Sequence, residues 1–237
     1  MSSLYLIRHG QAGTRGHYDA LSDLGRRQAY LLGQHLAAQK VPFKAFTAGC
    51  LNRQRQTAQE VWRAYREAGI AVPDIVSDPA WNEFDMSAVF SEFAPLLSEA
   101  DPQFKQDYQE LLRKLEDANS PIHQAWTDCD TQAMRAWIED RYPCRTESWA
   151  AFTQRVLSAR ASLAEYQPGD IVAIFTSATP IAIWTAAALG MSNGQMRLAG
   201  VMYNSAVTTL RLRDDDLMLF SFNGLPHLTD PHLRTFR

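Results

Sequence analysis

Arg8 and His9 stand side by side near the start of the chain, with Gly10 after them. A guanidinium grips two oxygens of a phosphoryl group in a bidentate fork. A neutral imidazole beside it can attack phosphorus as a nucleophile. A glycine lets backbone come close to a ligand. Arg-His-Gly also occurs by chance at the ends of strands, so the surrounding pattern has to carry the reading. Arg53 offers a second clamp. It falls in the first turn of a helix expected over residues 51–68, where the positive end of the helix dipole also favours an anion. Alone, Arg53 and Arg55 read as surface charge on an amphipathic helix.

The elements that would position these residues alternate. An apolar run over residues 4–7 reads as a buried strand. Arg8-His9-Gly10 then lies at its carboxyl end, the edge where open α/β sheets bind ligands. Ser22 caps a helix expected over residues 23–38, with Ala29, Leu32 and Leu36 on one face. Strands follow at 43–48 and near 75–76, on either side of the helix over 51–68, which Gly69 ends. Strand, helix, strand, helix with short links argues for a parallel sheet. The clearest buried strand is 171–175, which stops at Thr176-Ser177-Ala178-Thr179. A helix with Pro180 near its first turn comes next. Residues 204–213 and 217–222 read as an edge hairpin. Between the strands near 75–76 and at 171–175, strand signals fade over 86–142. Helices are expected there at 90–97, 103–115 and 132–138, separated by Pro95, Pro102, Pro121 and Pro143, and a further helix at 147–166.

The expected architecture is therefore α/β: a three-layer α/β/α sandwich with a mostly parallel central sheet. One domain over residues 1–237 carries a helical insertion at about 86–145 over the carboxyl edge of the strands. That insertion either shapes substrate access or is a packing layer. The polar clusters at three strand ends, 8–10, 47–53 and 176–179, converge if those strands are neighbours.

Composition sets outer limits. The 237 residues are 46% hydrophobic and 21% charged, which fits a folded globular chain. A net charge of −3 argues against a nucleic-acid partner. No apolar run is long enough to span a bilayer, so no membrane partner is expected. The first residues lack a basic stretch followed by an apolar core, and the expected location is the cytoplasm. Cys50, Cys129 and Cys144 have no CxxC spacing and read as buried or free thiols. Neither GxGxxG nor GxxxxGK[ST] follows any expected strand, which disfavours a nucleotide-binding sheet.

Four segments in order resemble the histidine phosphatase superfamily, the group that includes cofactor-dependent phosphoglycerate mutase. They are Leu6-Ile7-Arg8-His9-Gly10-Gln11, Leu21-Ser22-Asp23-Leu24-Gly25 with Gln28-Ala29, Leu51-x-Arg53-x-x-Gln56-Thr57-Ala58, and Trp81-Asn82-Glu83-Phe84. The likeness extends more loosely to the hairpin and to Pro226-His227-Leu228. It implies that His9 accepts the phosphoryl group, that Arg8 and Arg53 bind it, and that Glu83 protonates the leaving oxygen. Water would then hydrolyse the phosphohistidine. Gln11 and the helix termini would add donors. Asp85 competes with Glu83 for the acid role. Phosphoryl transfer rests on positioning and charge neutralisation. Arginines supply both, so neither a cofactor nor a metal is implied.

One position departs from the family pattern. The strand over 171–175 would end in a His-Gly pair, and here Ser177 takes the histidine's place. A hydroxyl donates one hydrogen bond but carries no charge. Losing a charge-assisted contact for a neutral one costs roughly 1–2 kcal/mol, about a decade in rate. Three outcomes follow: a working phosphatase whose phosphate is held by Arg8, Arg53 and Ser177; a site completed by His17 or His227; or a protein that binds phosphate and has lost turnover. The favoured function is hydrolysis of a small phosphorylated substrate through phosphohistidine on His9. The alternative is a weak or inactive phosphate-ligand binding protein on the same fold, and a phosphoglycerate-type mutase is less favoured still. The edge hairpin offers a surface on which a homodimer would pair.

Overall fold

A computed structural model of the chain describes residues 1–13, 19–117, 119–124, 126–213 and 216–236, with the Gln124 side chain left aside. His17 lies outside the described residues. A six-stranded sheet runs in the order β3-β2-β4-β1-β5-β6. Its strands are β1 (Ser2–Arg8), β2 (Phe43–Ala48), β3 (Ile75–Ser77), β4 (Ile171–Thr176), β5 (Val207–Arg213) and β6 (Asp216–Gly224). The first four are parallel, while β5 and β6 are antiparallel additions on the β1 side. The sheet is thus mixed but mostly parallel, as the alternating sequence pattern predicts. The carboxyl ends of β2, β4 and β1 lie next to one another.

The helices of the described residues are α1 (Asp23–Ala38), α2 (Asn52–Glu67), α3 (Met86–Ala100), α4 (Pro102–Glu116), α5 (Asp128–Ile138), α6 (Trp149–Ser158), α7 (Arg160–Leu163), α8 (Ala178–Ala188) and α9 (Gln195–Gly200). Ser22 caps α1 by accepting from the Gly25 N–H. Alternate strand residues face α1 and α2. Ile7, Phe46, Ala173 and Phe175 join Leu32, Leu36, Val61 and Tyr65 in one buried cluster. Phe46 meets Phe175 edge to face, with ring centroids 5.3 Å apart. Truncating either ring to alanine costs about 3–5 kcal/mol in a core of this kind. α8 is buried nearly all round, and its Trp184 stacks on Trp81 with centroids 5.2 Å apart. Trp81 is therefore part of the core.

The described residues divide into two compact units. The first holds the sheet and takes in residues 1–13, 19–83 and 156–236. The second covers 84–155 and is wider than the stretch of about 86–145 read from the sequence. Its core is aromatic. Phe84 packs on Trp137 at 4.7 Å and on Phe152 at 5.6 Å between centroids, and the Trp137 indole N–H donates to the Glu147 carbonyl.

Several local readings need correction. Pro95 sits inside α3 and separates nothing. The helix expected over 147–166 is two helices, α6 and α7. The strand expected from residue 204 begins at Val207, because Ser205 adopts a left-handed backbone (φ 56°) that no strand can hold. α9 carried no sequence signal strong enough to read.

Candidate active site

The β1–β4 ladder continues one step past β1: the His9 N–H donates to the Thr176 carbonyl at 2.9 Å. The His9 carbonyl accepts from the Ser205 N–H at 3.1 Å and from Asn204 Nδ2 at 3.3 Å. The Gly10 N–H donates to Thr57 Oγ1 at 3.0 Å, and that hydroxyl donates to the Arg53 carbonyl at 2.7 Å. Backbone beneath His9 is thus tied to β4, to the approach to β5 and to α2. Gly10 is required by close approach, since a Cβ there would lie 2.3 Å from the Gly25 carbonyl oxygen.

The His9 ring is buried, with Nδ1 2.7 Å from the Gly10 carbonyl. A carbonyl only accepts, so Nδ1 carries the hydrogen and Nε2 keeps its lone pair. Burial holds the His9 pKa well below 6.5, the positive charges of Arg53 and then Arg8 lower it further, and the bond to Gly10 opposes them. At neutral pH the ring is uncharged and nucleophilic at Nε2.

Arg8 and Arg53 are both buried. Arg8 Nη1 donates to the Met202 carbonyl. Arg53 occupies the first turn of α2, and its Nη1 lies 3.4 Å from Asp19 Oδ1. Asp19 also caps α2. Leu51 has no side-chain acceptor to offer, and Asp19 takes the Asn52 N–H at 3.1 Å and Asn52 Nδ2 at 2.8 Å. Asp19 is half-exposed, so its pairing with Arg53 is worth less than about 1 kcal/mol and yields readily to a stronger anion.

Glu83 and Ser177 meet at the start of α8. The Thr179 N–H in its first turn donates to Glu83 Oε2 at 3.1 Å. Ser177 is extended (φ −122°, ψ 175°), so the strand alternation of β4 carries on through it. Ser177 follows Phe175 by two residues, as His9 follows Ile7, and Ile7 pairs with Phe175. The hydroxyl and the imidazole therefore rise side by side from neighbouring strand ends on one face. Gln11 lies at the start of α1. Its Oε1 accepts from Ser22 Oγ at 2.8 Å, and its N–H donates to Gln28 Oε1 at 2.8 Å.

His227 is held elsewhere. Its Nε2 lies 2.8 Å from Ser205 Oγ, and burial, helped by His35, pushes its pKa down to about 3. No group of three or more His, Cys, Asp or Glu placed to hold a metal occurs among the described residues. Sequence reading missed Asn204, Ser205, Asp19 and Gln54. Thr57 was visible inside the Arg53 segment but had no role there.

Comparison with known proteins bears on family and fold. The family model of the histidine phosphatase superfamily (branch 1) matches residues 4–136 and 113–224. A curated relative, the mitochondrial serine/threonine-protein phosphatase Pgam5 of Caenorhabditis briggsae, is 28% identical over 127 residues, 46% of this chain and 45% of the relative. The match thus spans about half the length of that relative. Among solved structures, Bacillus stearothermophilus YhfR aligns with a TM-score of 0.64 at 19% identity, covering 96% of this chain and all 100% of that one. A mycobacterial glucosyl-3-phosphoglycerate phosphatase bound to VO3 aligns with a TM-score of 0.59 at 19% identity, covering 94% and 98%. Shared fold, matched family model and the strand-end cluster around His9 agree: the chain belongs to the histidine phosphatase superfamily.

Proposed function

We propose that the protein hydrolyses a small phosphomonoester through a phosphohistidine on His9. One observation carries this reading: a buried, neutral imidazole whose tautomer exposes Nε2, set beside two buried arginines. Arg8 and Arg53 neutralise the non-bridging oxygens of the phosphoryl group. The Nε2 lone pair attacks phosphorus, the bond to the ester oxygen breaks, and its electron pair leaves on that oxygen. Glu83, held at the start of α8 by the Thr179 N–H, gives the leaving oxygen a proton. Water then attacks the phosphohistidine. The P–N electrons return to the imidazole, and the Glu83 carboxylate takes the proton from water. Ser177 and the Gln11 carboxamide nitrogen add neutral donors to the phosphate oxygens.

Names of relatives support phosphomonoester hydrolysis, since they include a glucosyl-3-phosphoglycerate phosphatase and a serine/threonine-protein phosphatase. The cytoplasm is the compartment we propose, although the Pgam5 relative carries a mitochondrial designation. The direct test is turnover of p-nitrophenyl phosphate by wild type and His9→Ala. Loss of at least about 10³-fold in kcat is expected for removal of the nucleophile. Equal rates in the two proteins would sink the assignment. Tight phosphate binding with no turnover of any ester would favour a binding protein on this fold.

A further inference from the structure

We propose that Gln54 is a positioning residue that makes Ser177 a preoriented donor to the phosphoryl group. The inference rests on the phosphohistidine reading above. It starts from an irregularity at α8. Ser177 occupies the N-cap position, where serine ordinarily accepts from an N–H of the first turn. Here the serine makes no such cap, and the Thr179 N–H goes to Glu83 instead.

The hydroxyl is engaged from the other side. Gln54 Nε2 donates to Ser177 Oγ at 2.9 Å and to the Trp81 carbonyl at 3.1 Å. The second bond fixes which end of the carboxamide is which. A backbone carbonyl only accepts, so the nitrogen end must face Trp81. Both of its hydrogens are then used, and Ser177 Oγ can only be the acceptor of the one it receives. Its own proton must point somewhere else. Among the described residues nothing accepts that proton, and both side chains are buried, Gln54 at 0% and Ser177 at 1% exposure. A buried hydroxyl in this position is aimed at an acceptor that arrives with the ligand. Ser177 rises beside His9 from the adjacent strand end, so a phosphoryl oxygen on its way to Nε2 is that acceptor.

The space for this device is built into the backbone. A Cβ on Gly49 would lie 2.0 Å from Gln54 Oε1. Glycine there lets the carboxamide lie flat against the end of β2. Gln54 is thus a neutral, oriented support for the Ser177 hydroxyl.

A double-mutant cycle of Gln54→Met and Ser177→Ala tests this support, read as kcat and KM for p-nitrophenyl phosphate and as vanadate inhibition. Each single change is expected to lower kcat about 10-fold with little change in KM, the loss of one neutral hydrogen bond made in the transition state. The double variant is expected to lose about the same 10-fold. A loss near 100-fold, the product of two independent effects, would overturn the proposal, as would an unchanged kcat in Gln54→Met. Should Gln54→Met fail to fold, Gly49→Ala displaces the carboxamide while keeping the residue, and the same non-additivity with Ser177→Ala is expected. A wild type that turns over no phosphoester refutes the hydrolytic reading alone. The cycle is then read in vanadate and inorganic phosphate affinity, where additive losses would still refute that support.

Discussion

The two flanks of His9 solve the same problem with different chemistry. On one side Arg8 and Arg53 bring two fixed positive charges. On the other, Ser177, Gln54 and the first N–H groups of α8 bring only dipoles, with Glu83 held among them. The charged flank does two things at once. It attracts the phosphoryl group, and it lowers the His9 pKa and so keeps the ring unprotonated. A third cation on the neutral flank would add affinity, but it would also favour the ionised form of Glu83 and so deplete the protonated acid that the leaving oxygen needs. Charge sets where the phosphate sits, and dipoles set its orientation.

The most forceful way to break this contrast is to remove one charge. Arg53→Ala is expected to cost about 10²–10³ in kcat/KM, the size seen when a preorganised transition-state donor is deleted. The same change should raise the His9 pKa, because Arg53 is the stronger of the two charges that lower it. The sign follows from repulsion: a guanidinium disfavours imidazolium, so its loss lets the ring take up a proton at higher pH. Burial remains, so the value should stay below 6.5. NMR titration of the His9 ring nitrogens checks this. A titration that does not move would mean that burial alone sets the His9 charge state.

On the neutral flank, Glu83→Gln separates holding from proton donation. A glutamine oxygen can still accept from the Thr179 N–H, so the corner should keep its geometry. kcat/KM reports the step in which the ester oxygen leaves, and for an alkyl phosphate, whose leaving oxygen needs a proton, it should fall about 10²-fold. For p-nitrophenyl phosphate, whose leaving group needs none, kcat/KM should fall far less. Equal losses of kcat/KM for both esters would show that Glu83 holds α8 and gives no proton to the leaving group, and would bring Asp85 back as the candidate acid.

Sequence made the charged flank legible and left most of the neutral flank hidden. Arg8 and His9 sit at the end of an apolar run whose period is local, and α1 and β2 match their expected bounds because Ser22, Pro42 and Gly49 punctuate them. Arg53 follows a strand in the same short-range pattern. Gln54 is different. Within Asn52-Arg53-Gln54-Arg55-Gln56 it reads as one more polar residue of an exposed helix face. Its partner Ser177 is 123 residues away, and only the sheet order brings them together. Ser205 was hidden for another reason. Its left-handed backbone is set by its bonds to His9 and His227, and serine carries no local signal for that conformation.

His227 gives the finest test of the contrast, because it is a second buried neutral imidazole whose pKa is lowered chiefly by burial and then by His35. In the folded chain it takes up a proton only near pH 3, whereas in the unfolded chain it does so near 6.5. Between those values the unfolded state binds more protons, so stability is complete above about pH 6.5 and falls as pH drops toward 3. His9 shifts in the same direction. His227 adds a slope of up to about 1.4 kcal/mol per pH unit in its window. His227→Gln keeps a polar partner for Ser205 and removes one of the two titrations. It should change kcat at pH 7 only a few-fold, through the Ser205 N–H that supports the His9 carbonyl. Urea midpoints at pH 7 and pH 5 should converge in His227→Gln relative to wild type. If the gap between them stays as wide, acid sensitivity arises at His9 and the carboxylates, and the pair behind the nucleophile is inert to pH.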